Sequence, residues 1–164
     1  MGCDIHMWYE RKSGDDWTDV EVPLNEWKMG PLDHRSYAMF GFLAGVRNYS
    51  AITPISEPRG WPKDFRYSRP GRTDDDVWYR DSDDYMFDEY HSHTWLSIDE
   101  LLSYNYDQIV EDRRVTRNGN GGVTCDPGEG KQETLREFLG EGFFDDLQTL
   151  KECGVERIVF AFDN

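Results

Sequence analysis

Long apolar runs are missing from this chain of 164 residues. No stretch approaches the roughly 18 consecutive apolar residues that a membrane-spanning helix needs, and no charged amino-terminal segment leads into an apolar one as in a secretory signal. Gly2 follows the initiator Met, but position 6 is His6 where a myristoylation signal wants Ser or Thr. These absences predict a soluble protein of the cytoplasm, with no membrane partner. Paired cysteines are missing too. Cys3, Cys125 and Cys153 are an odd number with no CxxC and no zinc-ribbon spacing, which fits free thiols in a reducing compartment. Cys3 stands close to His6, yet a nucleophilic thiol needs an orienting partner that spacing alone does not supply.

Basic residues are scarce. Lys and Arg number 18 against 33 Asp and Glu, a formal charge of −15, which argues against general affinity for nucleic acid. The glycine run Asn118–Gly122 lacks the GK[ST] of a P-loop, and no GxGxxG follows a strand. The acidic stretch 74–89 lacks the glycine and spacing of an EF-hand.

Histidine is also rare, which makes its placement informative. Of the four, His6, His91 and His93 fall in two short motifs, Asp4-Ile5-His6 and His91-Ser92-His93-Thr94-Trp95. On an extended segment side chains alternate with period two, so an HxH or DxH pair is expected to share a face. Two imidazoles and a carboxylate brought together suit a divalent metal or acid–base work on a phosphate ester. The plainer alternative is that they are ordinary surface or core residues.

In chain order, residues 4–12 read as a strand with Ile5, Met7 and Tyr9 on one face and Asp4, His6, Trp8 and Glu10 on the other. A Ser-Gly-Asp-Asp turn returns Trp17–Val22 antiparallel. Asp33 is placed to cap a helix over about 35–46, whose apolar stripe would face a sheet; Arg47 and Asn48 fall at its end. Residues 51–90 form an irregular excursion rich in proline. Its first part interleaves Arg59, Lys63, Arg66, Arg69 and Arg72 with Trp61, Phe65 and Tyr67. Such a stretch can grip a phosphorylated, aromatic ligand, or can pair internally with the acidic stretch that follows. Ser97–Glu100 and Thr134–Glu137 are capping boxes. Residues 105–131 read as a polar helix or hairpin arm with a Gly-rich loop over 111–131, and Lys131–Leu139 and Phe143–Glu152 as helices. Val155–Phe162 is the strongest strand; it should be central and carry Asp163 towards Asp4 and His6. The expected fold is α+β: one domain over 1–164, a mainly antiparallel sheet from the first hairpin and the last strand, and three to four packed helices.

Taken together these peptides resemble a family of small phage and bacterial proteins. Its members open with Met-Gly-Cys-Asp-Ile-His and carry a helix like Met39–Asn48, a segment like Ile55–Gly60, a His-Ser-His-x-Trp-Leu segment and a closing strand like Val159–Asn164. The match spans the whole chain. The resemblance implies a phage-type origin, hence the host cytoplasm and a role in evading host defence. The shared peptides contribute Asp4, His6, Arg47, Asn48, Glu57, Arg59, His91 and His93 to the site.

Three functions follow as expectations. The first is hydrolysis of a phosphoester in a small nucleotide-derived molecule. There His6, His91, His93 and Asp4 are catalytic; Arg47, Asn48, Glu57, Arg59, Trp8 and Trp61 bind the ligand; His6, His91, His93 and Asp163 would hold a divalent metal. The second is a sponge that sequesters a nucleotide signal unchanged. The third is an acidic protein–protein inhibitor. Oligomeric state, including a homo-oligomer, is left open.

Overall fold

The computed structural model describes residues 2–67, 78–79, 90–115 and 124–164. The acidic stretch 74–89, the outer arginines Arg69 and Arg72 and the glycine run 118–122 lie wholly or largely outside these residues.

The architecture is α+β. Strand β1 (Asp4–Ser13) turns through Gly14, whose φ is 62°, into β2 (Asp16–Asp19). β8 (Arg157–Asp163) lies beside β1, and β5 (His91–Ser97) lies beside β8, giving the antiparallel order β2-β1-β8-β5. The strongest strand is therefore central, as its apolar sequence predicts. Register fixes the faces. Ile5 opposes Phe162, Met7 opposes Phe160 and Tyr9 opposes Ile158, while Asp4, His6, Trp8 and Glu10 oppose Asp163, Ala161, Val159 and Arg157 on the other side.

The first of these faces is covered by helices. α1 (Tyr37–Ala44) brings Phe40 to 5.0 Å, ring to ring, from Phe162. α2 (Ile98–Ser103) and α4 (Glu141–Glu152) contribute Leu101, Phe143, Leu147 and Leu150 to the same core. Every residue of α1 is buried, so the expected one-sided stripe is replaced by a helix enclosed all round. Its amino-terminal cap is Ser36, which accepts from the Met39 N–H, and not Asp33; Gly45 closes it at φ 72°.

The hairpin alternative holds for the following polar arm. β6 (Ile109–Asp112) pairs with β7 (Lys131–Thr134), so residues 131–134 are strand and not helix. The Thr134–Glu137 capping box marks where α3 (Leu135–Leu139) begins. Two further short strands, β3 (Arg66–Tyr67) and β4 (Trp78–Tyr79), pair with each other.

On the second face of the sheet, residues 61–65 of the proline-rich excursion pack over Trp8 and Arg157. Trp61 and Phe65 stack at 5.1 Å with planes 4° apart, and both meet Trp8 edge-on. Below them Arg157, buried against the Trp17 ring, bonds Glu10 at 2.7 Å and Asp64 at 3.0 Å. Among the described residues no helix is long and apolar enough to cross a membrane.

Candidate functional site

The two ends of the described chain meet in one place. Because Asp4 opposes Asp163 and His6 opposes Ala161, His6 and Asp163 are diagonal neighbours on one face. His6 Nε2 lies 2.7 Å from Asp163 Oδ2, and the two side chains stay 37% and 39% exposed. The pair is thus open to solvent. Asp4 is differently engaged: Arg35 Nε and Nη2 donate to its two oxygens, each at 2.8 Å. That fork holds the Asp4 carboxyl below the usual carboxylate range. Arg47, at φ 49° just past α1, donates to Asn164 Oδ1 at 3.3 Å and bonds the Cys3 thiol and Tyr49. Burial still pushes that thiol up, which disfavours the thiolate a nucleophilic Cys3 requires.

Beside His6 a groove of about 530 Å³ runs along β1, lined by His6–Tyr9, by 19–22, and by Leu24, Lys28, Gly30, Asp33 and Tyr90. Gly30 is required there, since a Cβ would collide with the Tyr9 hydroxyl, which donates to Pro31 O at 2.9 Å. The following residues bring Asp33 into the groove. Burial raises its carboxyl to about 6, Asp4 adding to the effect and His6 opposing it. Tyr90 packs against His6, with ring centroids 4.8 Å apart.

The HSH motif does not follow simple alternation. A bulge between His91 and Thr94, with Ser92 at φ 54°, sets three residues of β5 against two steps of β8. His91 therefore pairs with Phe162 on the helix-covered face, stacked at 6.0 Å, whereas His93 lies against Trp61 at 4.5 Å on the second face. The expectation that both imidazoles share a face is corrected: the added residue turns one of them over. Nor does the metal set assemble. Of His6, His91, His93 and Asp163 only His6 and Asp163 meet, and among the described residues no group of three His, Cys, Asp or Glu is arranged to hold a metal.

The expected ligand-binding residues divide. Asn48 closes its own loop, donating to Ile52 O at 2.7 Å and accepting from Ile52 N–H at 3.1 Å, so it is structural. Arg59 forks onto Glu100, bonds Trp95 O at 3.1 Å and lies 4.7 Å over the Trp95 ring. It fastens the excursion to α2. Glu57 is exposed. Trp61 packs inside the aromatic cover, while Trp8 both joins that cover and lines the groove.

Sequence reasoning missed Asp33, Tyr90 and Arg35. Asp33 was readable as a helix cap, which hid its place in the groove. Tyr90, next to His91, carried the one available signal. Comparison with protein-family models, curated proteins and solved structures finds no match to this chain.

Proposed function

We propose that the protein hydrolyses a phosphodiester in a small nucleotide-derived molecule, with His6 moving the proton. The accessible His6–Asp163 pair at 2.7 Å carries this reading. Asp163 holds Nε2, which leaves Nδ1 to take a proton from the attacking water. The water oxygen bonds phosphorus as the ester P–O bond breaks. Asp33, whose carboxyl sits near 6, returns a proton to the leaving oxygen. The groove carries Asp19, Glu21 and Asp33 against Lys28, which favours a diester bearing one negative charge over a polyphosphate. The resemblance to phage proteins suggests that the molecule is a host defence signal.

The test is turnover of bis(p-nitrophenyl) phosphate and a panel of cyclic and linear dinucleotides. His6→Ala should lower kcat/KM by about 10²–10⁴-fold. Asp163→Asn should lower kcat with KM little changed. A ligand that binds and is recovered intact after heat denaturation would replace hydrolysis by sequestration. Neither binding nor turnover would sink both.

A further inference from the structure

The open edge of β1 is the most informative feature outside the proton-transfer pair. Val20 N–H donates to Tyr9 O at 2.9 Å, and this bond fixes which main-chain groups of β1 point away from β8: by alternation, those of Tyr9, Met7 and Ile5. β2 proper pairs only with Glu10–Ser13. Beyond Val20 the returning chain diverges, and the groove opens in the gap, with His6–Tyr9 on one wall and 19–22 on the other. Among the described residues no hydrogen bond is made to the Met7 N–H or C=O on that side. A strand-edge donor and acceptor therefore face the cavity from a single residue.

We propose that Met7 reads the edge of a nucleobase through its main chain. This rests on the phosphodiester reading and names the part of the substrate that the groove selects. An N–H and a C=O on one residue of an extended strand match the adjacent acceptor and donor found on the hydrogen-bonding edges of nucleobases. The surroundings fit a flat aromatic ring. Trp8 and Tyr90 approach from the His6 side, and Val20, Val22 and Leu24 supply an apolar wall. Leu24 is 58% exposed, a large apolar side chain left at the rim. Its loop is stiff: Asn25 Oδ1 accepts from Trp27 N–H at 2.9 Å and Met29 N–H at 3.0 Å. An extended peptide would also seek a strand edge, but it needs a row of alternate open residues. Here the Tyr9 carbonyl is taken by the Val20 N–H and Ile5 does not line the groove. Among the described residues Met7 is thus the one outward-facing residue of the groove with both main-chain groups open, which suits one planar ligand better than a strand. His6 is the next residue along β1, which places the ester beside the proton-transfer pair when the base is at Met7.

Selective [¹⁵N]Met labelling of the full chain, which has five methionines, isolates the relevant amide; Met7→Leu assigns it. The probes are the four nucleoside 5′-monophosphates, with ribose 5-phosphate as the ligand lacking a base. The expected result is a saturable downfield shift of the Met7 amide with at least one nucleotide and none with ribose 5-phosphate. Leu24→Glu, a change at an exposed position, should weaken that binding at least tenfold while circular dichroism stays the same. His6→Ala should retain the shift. A Met7 amide unmoved by all four nucleotides, or moved equally by ribose 5-phosphate, overturns the proposal. Diester turnover with an unmoved Met7 amide overturns base reading alone, and a shift without turnover supports it while removing hydrolysis.

Discussion

Asp33 shows how a single side chain couples stability to chemistry. Its carboxyl is raised to about 6 chiefly by burial, so the folded state favours its protonated form. The sign follows: the wild-type protein loses stability as pH rises from the ordinary carboxylate range through about 6, because ionisation must then occur in a poor environment. Asp33→Asn should leave stability unchanged at pH 3.5 and raise it by about 1–2 kcal/mol at pH 8, measured by urea unfolding at both. The same change should reduce turnover, and the wild-type rate should fall above pH 6 as the acid form is lost. A variant no more stable at pH 8 would deny the burial cost. His6 and Asp163 were legible in the sequence because both lie on strongly patterned strands where period two fixes the face. His91 and His93 were not. Ser92 takes φ 54° without being glycine, and no residue signature announces a bulge of that kind.

Among the elements, the two capping boxes mark true helix starts, whereas the Asp33 cap and the Lys131 start do not hold. Ser97 accepts from Glu100 N–H at 3.0 Å and Glu100 reaches back to Ser97 N–H at 2.7 Å. Ser97→Ala should cost about 1 kcal/mol in equilibrium unfolding. Glu100 does more than cap, for Arg59 first and Ser97 next hold its carboxyl down to about 2. Its pairing thus contributes above the ordinary glutamate range and is lost as acid carries the pH down through about 2. The excursion was legible as irregular, but the partner of Arg59 was not. A basic residue in an aromatic stretch suggests a ligand, and only the fold shows that a helix cap lies beneath it. Residues 131–134 were misread because Lys-Gln-Glu-Thr has the composition of a helix, whereas the pairing of β7 with Ile109–Asp112 is tertiary.

At the scale of the whole molecule, two charge arrangements matter. Glu10 and Arg157 are 3% and 4% exposed and bond each other at 2.7 Å, with Asp64 reaching Arg157 from the excursion. Arg157→Met leaves the Glu10 carboxylate buried alone and should cost about 3–5 kcal/mol. The double variant Glu10→Leu/Arg157→Met should recover most of that loss in thermal melts. No recovery would mean that the cost lies in the packing of Arg157 on Trp17 and not in the unpaired charge. The surface, at −15 overall, repels itself, so added NaCl should raise the melting temperature until screening is complete at a few hundred millimolar.

The order of strands has a consequence for how the molecule is made. β8 separates β1 from β5, and His6 meets its carboxylate across 157 positions of sequence. A nascent chain emerging from the ribosome holds β1 and β5 with their apolar faces uncovered until residues 157–163 arrive to bridge them. Such a topology folds late and is exposed to association while it waits. Loss of residues 157–163 should therefore leave β1 and β5 unjoined and abolish cooperative unfolding, as measured by urea titration.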